Sequence, residues 1–229
     1  MKIYAAILAG GKGLRLGSDI PKQFLMLRDK PIIQWSVETF ASCAEIDGIV
    51  IVCPLNEMQR MNTLFTEKAR FKILAIVPGG ETRQGSSLQA LNALPYEDDD
   101  IILIHDAARP FVTMQIITDS IAKAKENGAA GVYLAATDTI TEIHEGLIKS
   151  VPVRDNLYYA QTPQTFKIGV IKKSHQLVEE QNLQVTDDVS LVLAMGHSVK
   201  AVKGDPLNIK ITDSFDYEKA KWITTLSRH

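Results

Sequence analysis

The sequence predicts an α/β fold, a mostly parallel sheet covered by helices. Short, near-continuous apolar runs alternate with longer segments whose apolar residues fall three and four apart. The runs lack polar alternation, as strands buried on both faces should. Glycine-bearing turns follow several of the runs, at the strand ends where open α/β sheets bind ligands.

The elements follow in order. Ile3–Leu8 reads as a buried strand that breaks at Gly10, and Gly48–Cys53, Lys72–Val77, Ile101–His105 and Gly131–Ala136 repeat its pattern. Between them, Ile32–Cys43, Asn56–Ala69, Arg83–Ala93 and Met114–Asn127 carry the spacing of helices that pack one face. Gly128 stands where a helix C-cap glycine belongs. Thr137–Val153 breaks the alternation: two β-patterned arms flank His144-Glu145-Gly146, a projecting hairpin. A lone hairpin is marginal in water, so this arm is expected to pack on a second copy of the chain. With no internal repeat and no Pro/Gly/Ser linker, the expectation is one domain over residues 1–229 with an arm at about 137–153.

Composition narrows the function classes. A length of 229 residues suffices for a real core, and 45% hydrophobic with 23% charged residues is ordinary for a soluble globular protein. The net charge of −2 supplies no overall field for nucleic acid or an anionic membrane, so any phosphate site must be local. No apolar run approaches the roughly 18 residues that would span a bilayer, and the first strand is too short for a signal peptide, so the cytoplasm is the expected address. Cys43 and Cys53 sit in apolar contexts and read as buried thiols.

Three stretches carry candidate chemistry. The first is Leu8-Ala9-Gly10-Gly11-Lys12-Gly13-Leu14-Arg15, followed by Pro21-Lys22-Gln23-Phe24. Glycines let backbone N–H groups face an anion while Lys12, Arg15 and Lys22 supply charge, a combination suited to a phosphate-rich ligand. A dinucleotide fingerprint fails, because from Gly11 and Gly13 the third glycine position falls on Leu16, and no register supplies a Walker A loop. The second stretch, Pro78-Gly79-Gly80-Glu81-Thr82-Arg83-Gln84-Gly85-Ser86, can bring backbone and the Ser86 hydroxyl to a base edge, or be a glycine turn with a helix cap. The third is Ile104-His105-Asp106-Ala107-Ala108-Arg109-Pro110. Asp106 suits Mg²⁺ held against phosphates, Arg109 suits a bidentate phosphate contact, and His105 reads as structural.

The first stretch resembles the signature of sugar-phosphate nucleotidyltransferases. Together the three resemble one family, the cytidylyltransferase that makes 4-diphosphocytidyl-2-C-methylerythritol. The resemblance extends through Val151-Pro-Val-Arg154, Gln161-Thr162-Pro163-Gln164, Val185-Thr186-Asp187-Asp188-Val189-Ser190 and Asn208-Ile209-Lys210-Ile211-Thr212. It implies a Rossmann-like, GT-A-like nucleotidyltransferase fold that uses CTP, a polyol phosphate and Mg²⁺ or another divalent cation. It also implies roles. Arg15 and Lys22 would stabilise the transition state, with Asp106 and Lys210 as further catalytic groups. Leu8, Ala9, Gly10, Gly11, Lys12, Gly13, Gly79, Gly80, Glu81 and Ser86 would hold the nucleotide. Asp106, Arg109, Arg154, Thr162, Thr186 and Lys210 would face the acceptor, Arg154 and Thr162 reaching it from the partner of a homodimer. Two features resemble a sister family instead, ribitol-5-phosphate cytidylyltransferase: Leu8-Ala9-Gly10-Gly11 and Val153-Arg-Asp-Asn-Leu-Tyr158. Ala107-Ala108 and Thr186-Asp187-Asp188 resemble the methylerythritol enzyme, which is the expectation, with ribitol 5-phosphate as the alternative acceptor. A nucleotide-binding regulator without chemistry is a further alternative, and the joint presence of Arg15, Lys22, Asp106 and Lys210 speaks against it.

Overall fold

The structure is a computed structural model that describes residues 1–11, 20–181 and 185–226. The chain opens with strand β1 (Ile3–Leu8), then a small two-stranded ladder of β2 (Met26–Leu27) and β3 (Lys30–Pro31), and helix α1 (Ile32–Ser42). Strand β4 (Gly48–Cys53), two short helices α2 (Met58–Asn62) and α3 (Glu67–Arg70), strand β5 (Ile73–Pro78) and helix α4 (Arg83–Asn92) follow. Next come β6 (Ile101–Asp106), α5 (Met114–Asn127), β7 (Ala129–Ala135), and a hairpin of β8 (Glu142–His144) and β9 (Leu147–Ser150). The last part holds β10 (Tyr158–Lys167), α6 (Ile168–Glu180), α7 (Asp188–Ala194), β11 (Lys200–Lys203) and α8 (Ser214–Ile223).

Seven strands form one sheet in the order β11-β7-β10-β6-β1-β4-β5. β10 alone among them runs antiparallel to its neighbours. Successive residues of β1 enter opposite layers, as a parallel strand covered on both faces requires. Ile3, Ala5 and Ile7 pack with Val37, Phe40 and Ile117 on one side. Tyr4, Ala6 and Leu8 pack with Leu91, Ile171 and Val192 on the other. A third cluster joins Leu27, Ile32 and Phe111 to Ile211, Ala220 and Ile223, fastening α8 beside the loop that precedes it.

This topology positions the site. After β1 the chain steps to β4 and β5 on one side, and then crosses to β6 on the other, so a crevice opens at the carboxyl ends of β1 and β6. Because β10 runs backwards, its leading residues reach that same edge, where Gln164 pairs with Ile104.

Several expectations are corrected. Asn56–Ala69 is two short helices, not one, because Thr66 starts a new helix by accepting a hydrogen bond from the Ala69 N–H at 3.4 Å. β5 is only half-buried, since it is the sheet's edge strand. Asn208–Thr212, which carries Lys210, is in no strand or helix, and Ile211 N–H donates to the Ala108 carbonyl at 2.8 Å. α5 begins at Thr113, whose hydroxyl accepts from Ile116 N–H, and ends on Gly128 at φ 84°. The hairpin turns through Glu145 (φ 50°) and Gly146 (φ 80°), the two left-handed residues a primed two-residue turn needs. Its Ile143, Leu147, Ile148 and Val151 are exposed.

Candidate functional site

Where β1 ends, Ala9 N–H donates to the Val52 carbonyl at 2.7 Å, and the chain leaves the sheet through Gly10 and Gly11. A cavity of about 300 Å³ opens there, walled by Leu8, Ala9, Gly10 and Gly11 on one side and by Gly80, Glu81 and Ser86 on another. Lys22, Asp106 and Lys210 complete the expected set that the structure brings together. Lys12, Gly13 and Arg15 lie outside the described residues. Gly79 borders an adjoining cavity of about 490 Å³ that shares Gly10, Gly11, Gly80 and Glu81 and adds Asn56 and Glu57.

The glycines at the end of β5 are dictated by a close approach. A Cβ on Gly80 would sit 2.7 Å from the Gly85 carbonyl carbon, and one on Gly79 would sit 3.0 Å from the Ser86 Oγ. The turn therefore folds directly onto the first turn of α4. Thr82 caps that helix, accepting from Gly85 N–H at 2.9 Å, and the Ser86 hydroxyl donates to the Thr82 carbonyl at 3.0 Å. The helix-cap reading of this stretch is thus correct, and the same turn walls the cavity.

Asp106 is the electrostatic centre. One carboxylate oxygen accepts from Arg83 Nε at 3.2 Å, and the other meets Lys210 Nζ at 2.7 Å. Burial alone would raise its pKa; the charges of Arg83 and Lys210 outweigh burial and hold the carboxyl far below the usual carboxylate range. Arg83 reaches on to Asp188, a fully buried carboxylate, at 2.5 Å. Burial opposes the Arg83 charge, but Asp188 and Asp106 together raise its pKa, so the guanidinium stays charged. The Ser87 hydroxyl donates to the other oxygen of Asp188 at 2.5 Å. Gln164 accepts from Asp188 N–H at 3.1 Å and donates to Asp187 at 2.6 Å, while Asp187 caps α7 through Ser190 N–H at 2.9 Å.

Beneath Asp106 lies a second chain of bonds. A carbonyl only accepts, so His105 Nε2 carries the proton it donates to the Arg109 carbonyl at 3.0 Å. Nδ1 then accepts from the Thr162 hydroxyl at 3.0 Å, and that hydroxyl oxygen accepts from Asp106 N–H at 3.1 Å. Thr162 is therefore a support under Asp106, with 4% of its surface exposed. Burial, the largest cause, lowers the His105 pKa to about 4, and the ring is neutral at pH 7. Since the unfolded ring titrates near 6.5, its neutral burial stabilises the fold fully above that pH. Stability is then expected to fall as pH drops from about 6.5 toward 4, by about 3 kcal/mol from this residue. Urea titrations of wild type and His105→Asn across that range check it; parallel profiles would remove His105 as the cause.

Arg109 turns away from the cavity. Its guanidinium donates to the carbonyls of Asn208 at 2.8 Å and Ala160 at 3.1 Å, so it pins the Lys210 segment to the start of β10. Asn208 returns a bond to the Thr162 carbonyl at 3.0 Å. Arg154 and Thr186 are exposed and line neither cavity. Arg154 donates to the Thr137 carbonyl at 3.4 Å, at the foot of the arm, and Thr186 faces Ser190 Oγ at 3.4 Å.

Among the described residues no group of three or more His, Cys, Asp or Glu side chains could hold a metal ion. A cation at Asp106 would find one protein carboxylate, a donor set that suits Mg²⁺ when phosphate oxygens and water complete its shell. Arg83 and Asp188, absent from the expected site, are its main additions. Arg83 left one sign in the sequence: a cation at the first position of a helix runs against the helix dipole, so it is held there for another reason.

The family model for 2-C-methyl-D-erythritol 4-phosphate cytidylyltransferase (IspD) matches residues 3–226. A relative of that name from Clostridium perfringens is 42% identical over 94% of this chain and 95% of its own. A ribitol-5-phosphate cytidylyltransferase from Lactiplantibacillus plantarum is 36% identical over 95% of this chain and 96% of its own. The crystal structure of 4-diphosphocytidyl-2C-methyl-D-erythritol synthase from Anaerococcus prevotii superposes with a TM-score of 0.85 at 27% identity, covering 98% of this chain and 96% of that one. A family model that spans nearly the whole chain and a relative at this identity agree with the mostly parallel sheet and its glycine turn: the chain belongs to the 2-C-methyl-D-erythritol 4-phosphate cytidylyltransferase family.

Proposed function

We propose that the protein transfers the cytidylyl group of CTP to 2-C-methyl-D-erythritol 4-phosphate. An oxygen of the acceptor's phosphate attacks the α-phosphorus of CTP, the bond to the β-phosphate oxygen breaks, and pyrophosphate leaves. The observation that carries this reading is the convergence of Lys22, Lys210 and Arg83 on the glycine-walled cavity around Asp106. A phosphate monoester is already a nucleophile at neutral pH, so the reaction needs positioning and charge neutralisation more than a base. The state of His105 agrees: it is neutral, and both its nitrogens are engaged beneath the floor of the site.

The acceptor is tested by pyrophosphate release with CTP and either methylerythritol 4-phosphate or ribitol 5-phosphate. The methylerythritol compound is expected to give the higher kcat/KM. A clear preference for ribitol phosphate would move the chain to the function of its Lactiplantibacillus relative, as the Leu8-Ala9-Gly10-Gly11 turn favours.

Mg²⁺, bound by Asp106 together with nucleotide phosphates, would offset phosphate charge. Asp106→Asn keeps the shape but loses the charge, so the Mg²⁺ concentration for half-maximal rate should rise several-fold. An unchanged titration would limit Asp106 to holding Arg83 and Lys210.

The arm supports a homodimer. Its exposed Ile143, Leu147 and Ile148 match a second copy better than water, and Arg154 stands at its foot. If Arg154 crosses into the partner's site, mixing inactive Arg154→Ala with inactive Lys22→Ala protein restores activity. Subunit exchange without recovery would keep Arg154 out of the partner's site.

A further inference from the structure

Among the described residues, Gln23 is the one side chain with two buried polar atoms that lack a partner. It belongs to the single turn Lys22–Phe24 and lines the cavity beside Lys22, yet its role is absent from the mechanism above. It is 2% exposed, and among the described residues neither Oε1 nor Nε2 has a hydrogen-bond partner. Nearly all buried side-chain amides are paired, because an unpaired one loses its water bonds and gains nothing in return.

The turn fixes the point from which this side chain starts. Phe24 N–H donates to the Pro21 carbonyl at 2.9 Å and Leu25 N–H to the Lys22 carbonyl at 3.1 Å. On the C-terminal side, Phe24 is buried in the core with the Arg60 guanidinium 4.1 Å from its ring centroid. On the other side, Lys22 Nζ donates to the Ile211 carbonyl at 3.3 Å. Gln23 is held between two anchored neighbours.

The chemistry of the missing partner follows from the amide. A phosphate oxygen only accepts, so it would satisfy Nε2 and leave Oε1 unpaired. A hydroxyl both donates and accepts, and two hydroxyls on adjacent carbons can pair with both ends of one amide. We propose that Gln23 is a substrate-binding residue that recognises a vicinal diol in this cavity. This rests on the function proposed above, in which both substrates carry such a group: the ribose of CTP and the polyol chain of the acceptor.

Gln23→Met tests the proposal, since methionine keeps the unbranched length and removes both polar atoms. Three measurements decide it: Tm of the free protein, calorimetric Kd for CTP and for 2′,3′-dideoxyCTP, and calorimetric Kd for the polyol phosphate. The free variant is expected to melt about 2–4 °C above wild type, because an unpaired buried amide is gone. Its affinity for the diol-bearing substrate should fall about tenfold. If the diol is the ribose, CTP weakens while dideoxyCTP binds both proteins alike; if it is the polyol, CTP binding is unchanged and the acceptor weakens. A free variant that melts below wild type, or binds both substrates as wild type does, overturns the proposal. Wild type that binds CTP without releasing pyrophosphate would overturn the proposed reaction instead, and the binding comparison would still judge Gln23.

Discussion

Lys22→Ala is expected to lower kcat on the order of 10²-fold or more while changing the KM for CTP only several-fold. The geometry gives the reason. A Cβ on Gly11 would lie 3.1 Å from Lys22 Cε, so the glycine turn leaves room for the lysine's stem to lie against it. Its ammonium donates to the carbonyl of Ile211, the residue after Lys210, so it is held beside the segment that carries the second lysine of the cavity. In the proposed reaction two phosphate-bearing substrates meet beside them, and negative charge grows on the oxygen shared with the leaving pyrophosphate as the bond breaks. A cation fixed in advance at that point is worth most in the transition state. Steady-state kinetics with calorimetric CTP binding separate the cases: a rise in Kd with an unchanged kcat would make Lys22 a ground-state binding group. Arg15→Ala is expected to behave alike, on the sequence argument that places both cations in one loop.

Asp188→Ala is expected to cost about 3 kcal/mol or more and lower Tm by about 6–12 °C. The carboxylate is wholly buried and serves two donors, Arg83 at 2.5 Å and Ser87 at 2.5 Å. Truncation leaves a half-buried guanidinium with Asp106 as its remaining carboxylate and a buried hydroxyl without its acceptor, the situation in which broken ion pairs are most destabilising. Asp188→Asn, which retains an acceptor for Ser87, should lose less. Calorimetric melting of both variants checks the order; a Tm for the alanine variant within about 2 °C of wild type would show that Arg83 is held without Asp188.

The parts of this protein most legible in its sequence are those governed by burial on two faces. β1 and β4 are uninterrupted apolar runs, and β6 is one as far as Ile104, because each lies between layers. β10 lies in the same sheet and escaped that reading. Tyr158–Lys167 contains Pro163 and three polar residues ahead of Thr165, which no periodicity marks as central. Its polarity is tolerated because Gln161 bonds Asp205 and Gln164 bonds Asp187 and Asp188, partners distant in sequence. The candidate site divides the same way. The glycine turn and Asp106 could be found because their residue types announce phosphate chemistry, and Lys210 because the family resemblance implies it. Asp188 could not, because beside Asp187, a true helix cap, a second aspartate reads as more of the same. Only the fold reveals that one faces a helix end and the other an arginine.

The tie between Ile211 and the cluster of Leu27, Ile32 and Phe111 has a consequence for the order in which a growing chain can become active. The glycine turn, Lys22, Arg83 and Asp106 are all synthesised in the first half of the chain, and Lys210 close to its end. Until α8 has left the ribosome, Ile211, Ala220 and Ile223 cannot together fill the space against Leu27 and Ile32, and nothing from that side holds Lys210 over Asp106. A chain stopped before residue 210 would leave the cavity's central carboxylate short of one counter-charge. Helix α8 thus bears on the site without lining its cavity, by packing on Ile211 beside the lysine that meets Asp106.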